Sequence, residues 1–131
     1  MSESPVSAQP VRQSLPLGIP RIVCLCGSTR FMSAFDDANR DETLAGHIVL
    51  TVGVDLKEKH KDILAGKTEA EAAAIKDRLD CLHRRKIDLA DEILVLSVDG
   101  SVGESTQREI EYAQKAGKPV RYLNPPASTT T

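Results

Sequence analysis

The sequence of 131 residues has no tryptophan and only two tyrosines and two phenylalanines, so aromatics make up 3% of it. Its core must therefore be packed with Leu, Ile, Val and Ala, and few rings are on offer to stack nucleic-acid bases. Charge of one sign is also lacking. Lys and Arg total 17 against 19 Asp and Glu, a formal net charge of −2, which leaves no electrostatic footprint for polymeric nucleic acid. The longest apolar runs are far too short to cross a bilayer. The N-terminus has neither a basic start nor an apolar stretch, so no signal peptide and no membrane partner are expected. Cysteine is scarce: Cys24, Cys26 and Cys81, an odd count without paired spacing. That argues against a disulfide framework and for a reducing compartment, and the expected localisation is cytoplasmic. Cys24 and Cys26 stand two apart in a predicted strand and so share a face, where they read as small buried hydrophobes. More ligands at tighter spacing would be needed for a metal, and no metal site or other cofactor is expected.

The length fits one domain, and 40% hydrophobic residues suffice for a single core. Residues 1–19 are rich in Ser, Pro and Gln without apolar periodicity, and 125–131 (PPASTTT) are similar, so both are expected to be disordered tails around a domain at 20–124. Within it, the apolar run Arg21–Cys26 stops at Gly27 and reads as a buried strand. A helix is predicted over 29–44, closed by Gly46, and a β-branched strand over 47–52, closed by Gly53. Residues 54–67 have no clear pattern. Thr68 and Glu71 form a capping box. The long helix behind it carries Ala72, Ile75, Leu79, Leu82 and Ile87 on one face. A strand at 92–98, a turn at 100–105, a helix at 106–116 ended by Gly117, and a strand at 119–123 complete the chain. Alternating strands and helices predict an α/β, Rossmann-like or flavodoxin-like domain. Its sheet of four to five strands is mostly parallel, with helices on both faces.

In such a sheet ligands bind past the strand C-termini, where two segments carry chemistry. Gly27, Ser28, Thr29 and Arg30 lie between a strand and a helix. The glycine permits a tight turn and close approach of a ligand, the hydroxyls and helix N-terminus offer donors, and Arg30 adds a fork of them: an anion site suited to one phosphate. It is not a Walker loop, lacking the spacing and the Lys. The second segment runs from Gly100 through Gly103, Ser105 and Thr106 to Glu109. There the Glu109 carboxylate, about one turn into a helix, can lean back toward the strand ends or simply satisfy the helix dipole. His83 rides the apolar stripe of the long helix between Leu79 and Ile87. It reads as a core histidine or as a proton donor to a leaving group. Asp88 and Asp91 are expected to be structural, Asp91 capping the turn. His47 and His60 lie apart and form no metal trio with His83.

The runs IVCLCGSTRF (22–31), LDCLHRRKIDLADEILVL (79–96) and GESTQREIEYAQKAGKPVRYL (103–123) resemble the nucleoside 2-deoxyribosyltransferase-like superfamily. The likeness spans about 21–124 and is closest to its small CGSTRF-type bacterial and phage members. It implies a nucleotide or nucleoside as small-molecule partner, and a glutamate nucleophile at Glu109 acting on the sugar C1′. It also implies a 5′-phosphate held by Gly27–Arg30, helped by the loop before the glutamate (Gly103, Ser105, Thr106), and assembly as a homo-oligomer in which a neighbour can finish the pocket. The family usually has an aspartate eight residues before the Asp of the Ala-Asp pair, here Asp91, and this chain has His83 there. The aromatic start to the first loop found in the transferases is absent, and Ser28 and Arg30 favour the monophosphate hydrolases. A looser likeness, the CGS loop and STQRE, is to the cytokinin-activating phosphoribohydrolases. Both imply cleavage or transfer at the N-glycosidic bond of a nucleoside 5′-monophosphate. A non-catalytic nucleotide-binding module, or a structural partner protein with no small ligand, is the alternative.

Overall fold

The structure, a computed structural model, describes residues 19–124. Apart from Ile19, the two predicted tails lie outside the described residues.

The elements run β1 (Ile22–Cys26), α1 (Met32–Leu44), β2 (Ile48–Leu50), α2 (Glu69–Leu89), β3 (Glu92–Val95), α3 (Glu104–Lys115) and β4 (Val120–Tyr122). Single 3₁₀ turns precede α1 (Thr29–Phe31) and α2 (Lys61–Leu64). The four strands form one all-parallel sheet in the order β2-β1-β3-β4. This is the α/β sheet predicted, with its smaller strand count.

Period-two alternation divides the core. Val23 and Leu25 of β1, Leu94 of β3 and Leu96 just after it face α1, where they bury Phe35 and Ala38. Cys24, Cys26, Ile93 and Val95 face the other way, against Ile87 of α2 and Ile110 and Ala113 of α3. Helices on opposite faces are what right-handed crossovers require when the chain winds left from β1 to β2 and then right to β3 and β4. The reversal falls between β1 and β3, so the loops after these two strands flank the switch point.

Local signals position the helices. Thr68 Oγ1 accepts the Glu71 N–H at 3.1 Å and Glu71 Oε1 accepts the Thr68 N–H at 2.9 Å, the reciprocal cap that starts α2. At its other end Lys118 Nζ donates to the carbonyls of Asp88 and Ala90. Gly46 and Gly117 follow α1 and α3 at φ +91° and +76°, left-handed positions that suit glycine. Asp91 takes the Ile22 N–H at 2.8 Å and so extends the β1–β3 ladder, and Asp88 accepts from Tyr112 Oη at 2.7 Å; both are structural, as expected. One assignment on α2 changes. Leu82 is 51% exposed, while His83 is buried on the stripe as expected, four residues from both Leu79 and Ile87. Spacing alone allowed either residue, and the apolar one turned outward.

Candidate active site

Because α2 runs antiparallel to the strands, its last turn lies by their N-terminal edge. His83, six residues before its end, is thereby lifted to mid-strand height, about 9 Å along the axis. There the imidazole meets the two cysteines of β1, with Nε2 3.4 Å from Cys26 Sγ and 3.8 Å from Cys24 Sγ. From α3, Glu109 brings Oε1 to 3.8 Å from the same Nε2. The shared face of Cys24 and Cys26 and their burial follow the sequence expectation. Their contact with His83 does not, because it needed the strand order that lays α2 on this face.

The four side chains are electrically coupled. Glu109 keeps 19% side-chain exposure, but its Oε1 is buried and has no hydrogen-bond partner among the described residues. Burial pushes its carboxyl above the usual range against the opposing attraction of His83. Burial would lower His83, but the Cys24 sulfur and the Glu109 carboxylate outweigh it and the imidazole holds its proton more tightly than usual. The thiols divide: hydrogen bonding from Cys26, aided by His83 and opposed by burial, draws Cys24 down to about 5, whereas that bond and burial push Cys26 up. The site can therefore hold a proton on an imidazole beside a carboxylate that is costly to ionise.

Cys26 ends β1 and adjoins Gly27, so Glu109 and the 27–30 turn occupy the same edge of the sheet. Gly27 serves packing before ligand approach: a Cβ there would stand 3.1 Å from Leu96 Cβ and 3.4 Å from Leu96 O. Ser28 Oγ accepts the Arg30 N–H at 3.2 Å, so one donor expected for an anion is already used in the turn. Arg30 is exposed, its guanidinium 4.8 Å over the Phe31 ring. Its charge helps hold Asp99 below the usual carboxylate range, behind the hydrogen bonds from Ser101, which ties the 27–30 turn to the loop after β3. On the α3 side, Gly103 caps the helix without a side-chain bond, so the first-turn N–H groups are uncapped by any side chain. Ser105 is exposed beside them, and Thr106 is buried.

One acidic residue at this edge escaped the sequence reading. Asp55, in the loop after β2, is 2% exposed and accepts the N–H groups of Lys57, Glu58 and Lys59 at 3.1, 3.2 and 3.3 Å. Burial would raise its pKa, but these donors and the Thr29 hydroxyl outweigh it and hold it low. An aspartate opening the polar run 55–60 was the available signal for such a side-chain turn. His60 Nδ1 accepts the Asp55 N–H at 3.0 Å and closes the loop, and His47 pairs with Glu42 at 2.7 Å.

Two open concavities of about 380 and 410 Å³ lie on the α1 side, and neither is bordered by His83 or Glu109. Compared with protein-family models, with curated proteins and with solved structures, the chain finds no match.

Proposed function

We propose that this protein cleaves the N-glycosidic bond of a nucleoside 5′-monophosphate, by hydrolysis or by transfer to a second base. One observation carries the proposal: a largely buried carboxylate with an unpartnered oxygen, 3.8 Å from an imidazole that favours its proton, beside the turn after β1. The phosphate lies between that turn, with Arg30, and the α3 N-terminus at Gly103, Ser105 and Thr106, where free N–H groups and the helix dipole favour an anion. Glu109 attacks C1′ as the C–N bond breaks and the sugar passes through an oxocarbenium-like state. His83 gives its proton to the departing base nitrogen. Water, or a second base, then displaces Glu109 from C1′, and the proton released returns to His83. No cofactor enters this scheme. The resemblance noted from the motifs supports the same assignment of Glu109 and of the 27–30 turn.

The same proposal has the protein act in the cytoplasm as a homo-oligomer. Exposed Leu82 (51%) and Leu89 (68%) on α2 supply apolar surface for a subunit contact, and the open edge around Glu109 suits completion by a neighbour.

The test is incubation with a panel of ribo- and deoxyribonucleoside monophosphates, followed by chromatography for free base. Release by the wild type and none by Glu109→Gln is expected. Binding of a monophosphate without release of base replaces this reading with a nucleotide-binding module.

A further inference from the structure

The scheme above uses neither thiol, although both are wholly buried and both point at one imidazole nitrogen. We propose that Cys24, Cys26 and His83 form a zinc site, with the Glu109 carboxylate at its open side as fourth ligand. Cys24 Sγ, Cys26 Sγ and a ring nitrogen of His83 lie within 4.8 Å of one another.

The Cys24–Cys26–His83 geometry fits three corners of a tetrahedral ion with little movement. With Zn–S near 2.3 Å and Zn–N near 2.0 Å, the sulfur–nitrogen edge of the tetrahedron is about 3.5 Å. The observed edges are 3.4 and 3.8 Å. A nitrogen–oxygen edge is about 3.3 Å by the same arithmetic. Glu109 Oε1, at 3.8 Å from His83 Nε2, must close by about half an ångström on that edge. It stands outside the 4.8 Å group of Cys24, Cys26 and His83, so its side chain must also swing toward the sulfurs to reach the ion. That oxygen is the buried acceptor without a partner, so a cation would satisfy it. Two thiolates, an imidazole and a carboxylate suit Zn²⁺ over Mg²⁺ or Ca²⁺, which take all-oxygen shells. Access is from the Glu109 side, where the cluster retains exposure. On binding, the protons still held by the two thiols and by the His83 imidazolium pass to solvent, and the two thiolates and the Glu109 carboxylate leave the occupied site with one net negative charge.

The site does not depend on Glu109 being a nucleophile, and its test reads no activity. The full chain, reduced and stripped of metal with a chelator, is titrated with Zn²⁺ against a chromophoric zinc indicator. One equivalent should bind. Co²⁺ in its place should give intense visible bands of a tetrahedral ion and near-ultraviolet thiolate charge-transfer absorption. Cys24→Ser/Cys26→Ser should weaken Zn²⁺ binding by more than the roughly 10–100-fold that loss of an outer partner costs. Cys81→Ser, at the exposed third cysteine, should leave it unchanged. The wild-type Co²⁺ spectrum stands even if the double variant folds poorly. Absence of stoichiometric zinc, a cobalt spectrum without thiolate bands, or loss of binding in Cys81→Ser overturns the proposal. Zinc binding by a protein whose metal-free form cleaves no monophosphate would refute only the glycosidase reading, and cleavage by a protein that binds no zinc would refute only this one.

Discussion

Replacing Glu109 with Gln should abolish turnover and at the same time make the protein more stable. Glu109 Oε1 is buried without a donor, and such an acceptor costs about 1–3 kcal/mol. Attraction to His83 at 3.8 Å offsets part of that cost, yet burial outweighs it, since the carboxyl sits above the usual range. Gln keeps the shape, carries no charge, and can accept from His83 Nε2–H through its oxygen or donate toward the Cys26 sulfur through its amide. The net gain falls at the lower end, about 1 kcal/mol, because the attraction goes with the charge. For a domain of this size that raises the melting temperature by about 3–6 °C. The pH dependence has a definite sign. Glu109 binds its proton more tightly folded than unfolded, so in that interval the folded chain holds more protons and wild-type stability falls as pH rises. The advantage of Glu109→Gln should be full above the raised folded value, shrink as pH falls through it, and be gone below about pH 4, where both states are protonated. Thermal melts by circular dichroism at neutral and acid pH, beside the base-release assay, measure both halves. A variant that melts lower than wild type at neutral pH would refute the reasoning: Glu109 would then be a structural partner of His83 and not a carboxylate held at a cost for chemistry.

Arg30→Ala should weaken monophosphate binding roughly ten- to a hundredfold, the worth of one charge-assisted contact, and leave unphosphorylated nucleosides unaffected in a calorimetric titration. Gly27→Ala should destabilise by about 1–3 kcal/mol in a urea melt, because the new Cβ meets Leu96 at 3.1 Å just past the paired ends of β1 and β3. Arg121 ties three elements together, its guanidinium 2.9 Å from Glu42 Oε1 and 2.6 Å from Glu92 Oε2. Burial would raise the Glu42 carboxyl, but the Arg121 and His47 hydrogen bonds hold it below the usual range. Its contribution is therefore present above the ordinary carboxylate pKa and lost as pH falls through the lower folded value. Arg121→Met should cost about 1 kcal/mol at neutral pH, trimmed by the 43% exposure of Arg121, and the cost should shrink in acid melts.

The fold was legible because its signals are local. Thr68 with Glu71, the glycines at 46 and 117, and the short apolar runs each act within a few residues, and alternation of strand and helix then leaves few topologies. That Glu109 and the 27–30 turn lie at one edge was legible for a related reason: both follow strands of a parallel sheet, and such loops share an edge. The cluster around His83 was not. Period two places Cys24 and Cys26 on one face, but which helix covers that face depends on the winding direction of the whole sheet. Asp55 was missed because its role is to accept N–H groups from its own loop, and residues 54–67 carry no periodicity from which to place them.

His83 and the paired cysteines, separate oddities in the sequence, explain one another once the fold is built. A carboxylate at position 83, which the motif resemblance leads one to expect, would face two thiols across 3.4–3.8 Å in a wholly buried layer, adding a second unpaired charge beside Glu109. An imidazole there can accept from a thiol, carry a proton toward the edge of the sheet, and attract the Glu109 carboxylate. Its Nε2 has one lone pair, however, and cannot hold a proton and a zinc ion together. The two proposals for this cluster therefore describe states that exclude each other: zinc bound between β1, α2 and α3 would remove the proton donor and occupy the carboxylate, so any glycosidic cleavage belongs to the metal-free form. Such exclusion follows from sharing His83 Nε2 at 3.8 Å from Glu109, and needs no movement of the sheet.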